Sequence, residues 1–208
     1  GDLGLEGTMQ LAHFHPGFRN THPTWLEKNL ADFRKSKEVF AAHFTSKYSH
    51  SPHPPLWMLC ETMTFGSTSH LLKGLDGDLQ RTLGDSLGIS REVLVSWAHA
   101  MVYLRNLSAH HGRVWNRKLA VQPMVPRKWA PAEFTTDRIF RMASVLEYLE
   151  RKTMGRSLVD SWRDLLNGFP AELQASMGVP SNWRELWDGW NVISAKTGKT
   201  DSDAGVKE

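Results

Sequence analysis

The stretch RNLSAHHGRVWNR, residues 105–117, gathers three arginines and two adjacent histidines with no acid among them. Arginine presents a planar, permanently charged fork of donors that matches phosphate oxygens. Histidine is the side chain whose ordinary titration lies near neutrality, so it can take or give a proton in water. Together these residue types suit chemistry at a phosphate ester, in which a guanidinium steadies negative charge while an imidazole moves a proton.

The surrounding charge pattern extends this reading. Glu92 and Glu133 are consecutive acids, so residues 93–132 contain none, while the same window holds Arg105, Arg113, Arg117, Lys118, Arg127 and Lys128. His99, His110 and His111 add conditional charge. A face built for solubility mixes both signs. The chain as a whole carries only +3, so any anion-binding footprint is local.

A helix is the element expected to position these groups. Ser90 is a candidate N-cap, Glu92 lies in the first turn, and the pattern predicts a helix over about 91–117. At 100° per residue, Asn106, His110, Arg113 and Arg117 fall in one polar stripe, with Arg105 beside it. Trp97, Leu104, Leu107, Val114 and Trp115 form the opposite, apolar side. His111 falls among these, so it is expected to be a core histidine, whereas His110 faces solvent.

The rest of the chain reads as helices separated by proline and glycine breaks. Its 208 residues, 40% hydrophobic and 23% charged, suffice for one sizeable core. Residues 1–23 are expected to be an irregular N-terminal arm, 24–190 a helical domain, and 191–208 a disordered polar tail. One helix is expected from Thr24 through about Tyr48 and another from Leu56 to about Leu75, loosened at FGSTS. Shorter helices follow near 77–88, 136–152 and 157–166. No alternating strand pattern occurs, which makes the fold class all-α. A lone cysteine, Cys60, cannot form an internal disulfide, and no apolar run reaches transmembrane length. Both features lead to the expectation of a cytoplasmic protein with no membrane association. His13, His15 and His22 lack cysteine or carboxylate companions, so no metal site is expected there. Neither a GxxxxGK[ST] loop nor a GxGxxG fingerprint is present, and no cofactor is expected.

These residues carry a resemblance. RNLSAHH fits the arginine, polar residue, then histidine signature of HEPN (higher eukaryotes and prokaryotes nucleotide-binding) domains. More specifically, PLWMLCETMTFGSTSHLLKGL, SWAHAMVYLRNLSAHHGRVWNR and MGVPSNW together resemble the Abi-like, abortive-infection family of bacterial phage-defence proteins, over roughly Trp25 to Trp190. Family members usually carry more chain ahead of the first helix, which implies that an N-terminal part is missing here. The resemblance implies a HEPN-like helical bundle with additional C-terminal helices, acting as a metal-independent endoribonuclease. In that scheme Arg105, Asn106 and His110 are catalytic, and His111 is structural or an alternative catalytic residue. Arg113, Arg117 and Lys118 hold RNA. The RNA's own 2′-hydroxyl is the nucleophile, leaving a 2′,3′-cyclic phosphate and a 5′-hydroxyl. One motif per chain implies a homodimer, and a cognate RNA or protein regulator is a further expected partner. Two alternatives stand beside this reading: a non-catalytic RNA-binding module using the same cationic face, and a helical dimeric scaffold.

Overall fold

The computed structural model describes residues 14–48, 53–129 and 134–189. Among them the chain is all-α, and the strand-type pairing is limited to one antiparallel bridge between Phe14 and Leu75. The expected tail at 191–208, and the expected arm before Phe14, lie outside the described residues. The chain divides into two compact units, Gly1–Tyr103 and Leu104–Glu208.

In the first unit the arm gains structure from Phe14 onward. His15 Nδ1 accepts the Gly17 N–H at 3.2 Å and Pro16 opens a short helix, α1 (Pro16–Arg19). The reason is aromatic spacing: Phe14, Phe18 and Trp25 are buried together with Leu71, and the His22 ring packs 4.6 Å from that of Phe14. Helix α2 (His22–Lys35) therefore begins ahead of Thr24, with Thr21 as its cap.

The long helix expected from 24 to 48 is two helices. Ser36 is extended at ψ 137, and its hydroxyl accepts the Glu38 N–H at 3.2 Å, a local bond that competes with the helix. Helix α3 (Val39–Lys47) follows. Both pack around Leu30, Phe33, Ala41 and Phe44, together with Leu59 from α4 (Leu56–Thr62).

The break expected at FGSTS falls one step earlier, at Met63–Thr64. Thr64 Oγ1 accepts the Ser67 N–H at 3.1 Å, so FGSTS opens α5 (Phe65–Gly74) instead of loosening a longer helix. The indole N–H of Trp25 donates to the Ser67 carbonyl at 3.2 Å, a buried bond joining α2 to α5. Asp76 caps α6 (Gly77–Leu87) by accepting the N–H groups of Asp78 and Leu79, each at 2.9 Å. Helix α7 (Arg91–Ala109) starts where expected, with the Val93 N–H 3.4 Å from Ser90 Oγ, but it stops at Ala109.

The second unit is organised around α8 (Ile139–Met154), α9 (Val159–Asn167), α10 (Ala171–Ser176) and a helical stretch over 183–189. Phe140 stacks between Phe134 and Trp187, with ring centroids 6.0 Å and 5.8 Å away. Trp187 donates its indole N–H to Ser144 Oγ at 2.9 Å, and Ser144 donates in turn to the Phe140 carbonyl at 2.9 Å. A charge is also built into this unit. Glu147 is fully buried and accepts from the Arg151 guanidinium, the Ser157 hydroxyl at 2.9 Å and the Leu158 N–H at 2.5 Å. It thereby fixes the segment that leads into α9, and the buried carboxylate has the partners that burial demands.

Candidate functional site

The end of α7 determines where the motif residues stand. The His110 N–H donates to the Asn106 carbonyl at 3.1 Å, the His111 N–H to Ser108 at 3.0 Å, and the Gly112 N–H to Leu107 at 2.8 Å. The last two bonds form a Schellman closure, which requires a left-handed residue just past the helix. That residue is His111, at φ 54, and it is the only non-glycine with positive φ among the described residues. The same pair of bonds closes α6 at Gly88, φ 67, and α10 at Gly178, φ 74. Glycine adopts this conformation at no steric cost, whereas a side chain is strained there. Gly112 is needed for a different reason: a Cβ there would lie 2.9 Å from the Leu107 carbonyl oxygen, so only a bare backbone closes the turn.

This turn corrects two expectations. The stripe Asn106–His110–Arg113–Arg117 is not continued along one helix, because helical periodicity ends at Ala109. His111 is not a core histidine: it is exposed, its backbone having turned away from the helical path. The element reading failed at Gly112, since a glycine after two histidines is a C-terminal signal that the charge pattern overshadowed.

The structure brings some motif residues together and separates others. Arg105 and Asn106 are exposed neighbours on α7, and the Arg105 guanidinium donates to Asn106 Oδ1 at 3.1 Å. His110 is exposed at the cap, bonded through its backbone to Asn106. These three share one helix end. Arg113, Arg117 and Lys118 follow on irregular backbone, all exposed. Arg105, Arg113 and Arg117 form no ion pair among the described residues, while Lys118 approaches Asp137 at 3.8 Å. Asp137 lies just beyond the acid-free window and also pairs with Arg138 at 3.2 Å. Arg138 in turn donates to Asn116 Oδ1 at 2.9 Å, which ties the segment after the turn to the approach to α8.

Other expectations resolve by burial. Trp97 is core, and Trp115 is half-buried against Phe169. Lys128 is exposed, but its ammonium is tied to the Tyr148 hydroxyl at 2.9 Å, to which it donates, and desolvation lowers its pKa. Cys60 is half-buried, and its thiol pKa is raised by burial and by the charge of Glu61. His15 caps α1, and His22 is buried among aromatic rings, where desolvation lowers its pKa. His13 lies outside the described residues. The residues that sequence reasoning missed are Asp137 and Glu147, whose roles depend on contacts with no local sequence signature.

No helix among the described residues is long and apolar enough to cross a membrane. The family model described as Abi-like protein matches residues 7–116, a little over half of the chain, and the match runs through the RNLSAHH turn into the segment after it. No curated protein and no solved structure shows a significant match.

Proposed function

Since the chain belongs to the Abi-like protein family, we propose that it is a metal-independent endoribonuclease in a bacterial abortive-infection system. The observation that supports this best is the end of α7, where an unpaired arginine, its asparagine partner and an exposed histidine occupy one acid-free helix terminus. In this reading His110 moves the proton between the RNA's 2′-hydroxyl and the leaving 5′-oxygen. Arg105, oriented by Asn106, steadies the charge gathering on the phosphorane. The 2′-oxygen forms the new bond to phosphorus, the 5′-oxygen leaves, and the products are a 2′,3′-cyclic phosphate and a 5′-hydroxyl. Arg113, Arg117 and Lys118 hold the flanking phosphates. With one motif per chain, a HEPN-type site assembled by two copies belongs to the same proposal, as does a cytoplasmic location.

The test is incubation of the purified protein with total RNA in EDTA, followed by analysis of the new ends. Cleavage with cyclic-phosphate ends should fall by about 10²–10⁴-fold in His110→Ala. Arg105→Lys keeps the charge but loses the fork, and should also cut poorly while still binding. A strict magnesium requirement, or equal cutting of a 2′-deoxy-substituted substrate, refutes the mechanism.

A second reading, RNA binding without cleavage, is favoured by one observation: every cation of the set is solvent-exposed. A site of that kind grips phosphates without excluding water. Salt-sensitive RNA binding with no new ends in EDTA selects it.

A further inference from the structure

The arginines of the second unit differ in what holds them. Among the described residues, Arg151 is held by Glu147, Arg156 by Glu150, Arg163 by Asp160 and Asp164, and Arg138 has Asp137 at 3.2 Å. Two arginines depart from this pattern. Arg105 donates to the amide oxygen of Asn106, and Arg141 Nη1 donates to the amide oxygen of Gln122 at 2.8 Å. A carboxylate orients a guanidinium and cancels its charge. An amide oxygen orients it and leaves the charge in place.

Arg141, on α8, is the more telling of the two because it is half-buried. It forms no ion pair among the described residues. Its Nε–H is buried without a hydrogen-bond partner, and desolvation pulls its pKa below the ordinary guanidinium value. A partly desolvated cation that lacks both a counter-charge and an acceptor costs the fold stability, and buried donors are normally paired. An anion oxygen supplies what is missing.

The neighbouring chain indicates which anion. Gln122 follows the segment that carries Arg113, Arg117 and Lys118, all exposed. That segment is laid against α8 and the residues leading into it: the Leu119 N–H donates to the Asp137 carbonyl at 2.8 Å, Arg138 donates to Asn116 and Arg141 to Gln122. Asp137 is the sole acid in residues 113–122 and 134–141, and Lys118 and Arg138 already share it. Cations spread along one docked segment and the helix beside it suit a repeating polyanion better than a single small ion.

We propose that Arg141 binds a backbone phosphate of the RNA, extending the phosphate contacts of Arg113, Arg117 and Lys118 onto α8. The proposal rests on the RNA reading of the α7 end. It carries the grip past residue 116, where the family match stops. Gln122 positions the guanidinium, and the phosphate supplies the counter-charge and the acceptor that the protein withholds.

Binding of a 2′-O-methyl oligoribonucleotide, whose blocked 2′-oxygen cannot attack, is measured by fluorescence anisotropy in EDTA over a series of potassium chloride concentrations. Arg141→Met should weaken binding about tenfold. It should also flatten the slope of log K against log salt by about 0.7, the share of one phosphate on a single strand. Gln122→Glu keeps the acceptor and adds the missing counter-charge, so it should weaken binding in the same way without lowering Tm. Unaltered affinity in Arg141→Met overturns the proposal. A loss in Arg141→Met that Gln122→Glu does not share overturns it too, and leaves Arg141 as a clasp for the 113–122 segment. A parent protein that binds no oligonucleotide overturns it together with both RNA readings. Cleavage of natural RNA tells the remaining failures apart. A parent that binds through Arg141 but cuts nothing keeps this contact and loses the nuclease; one that cuts, with Arg141→Met binding as tightly, keeps the nuclease and loses this contact.

Discussion

Replacing His111 by glycine should make this protein more stable. The residue closes α7 in the left-handed region at φ 54, where glycine closes α6 and α10 with the same hydrogen bonds. An L side chain in that region costs about 1–2 kcal/mol. Glycine removes that strain but loses about 0.5–1 kcal/mol through the extra freedom of the unfolded chain. The His111 side chain is exposed and makes no hydrogen bond, so nothing else is lost. The net gain is about 0–1.5 kcal/mol, which for a chain of this size raises Tm by up to about 6 °C. His111→Ala keeps a Cβ in the strained position and should not gain. Thermal melts of the three proteins decide the matter, with RNA cleavage measured on the same samples. A Tm for His111→Gly below that of the parent would refute the reasoning, because it would mean that the imidazole makes a contact worth more than the strain. A stabilised variant that has lost cleavage would transfer the catalytic role from His110 to His111, with the strained backbone serving function.

Three further outcomes follow from the geometry. Gly112→Ala drives a methyl against the Leu107 carbonyl and should cost about 1–3 kcal/mol in urea unfolding. Glu147→Ala removes the buried carboxylate that accepts from the Arg151 guanidinium and leaves the part-buried Leu158 N–H without its acceptor; a loss of about 3–5 kcal/mol is expected, and a change under about 1 kcal/mol would contradict the buried pair. Glu92 has its pKa lowered to about 2, first by its hydrogen bond with Arg91 and then by its own backbone N–H and Ser90. Because the folded value is depressed, its contribution to stability is complete above the ordinary carboxylate range and is lost as pH falls toward 2. Carboxyl NMR should show that midpoint, and Arg91→Ala should move it upward.

The sequence made some of this legible and hid the rest for physical reasons. Caps were readable where one residue does one job, as with Ser90 before α7 and the glycine ending α6. Helix ends were misjudged where two signals compete. At Ser36 an uninterrupted apolar spacing outweighed a serine that bonds its own backbone. At His110–Gly112 a cationic pattern outweighed the glycine that closes the turn. The arm from Phe14 to Pro23 looked irregular by its glycines and prolines, yet the aromatic spacing of Phe14, Phe18 and Trp25 was enough to bury it. For the candidate site, the identity and exposure of Arg105, Asn106 and His110 could be read from the sequence, but the shared stripe with Arg113 and Arg117 could not survive the turn. The role of Glu147 was invisible, since its partners are brought together by tertiary packing.

The closing turn of α7 also has an electrostatic consequence. A helix ends with four carbonyls that lack intrahelical donors, and their combined partial charge repels an approaching polyanion. Here the carbonyls of Asn106, Leu107 and Ser108 receive the N–H groups of His110, Gly112 and His111, so only that of Ala109 among the last four is left without one. The negative pole is largely neutralised by the backbone that follows it, at the one place on this helix where Arg105 is aimed at solvent. A nucleic-acid phosphate arriving there meets the guanidinium without first having to overcome the helix that presents it.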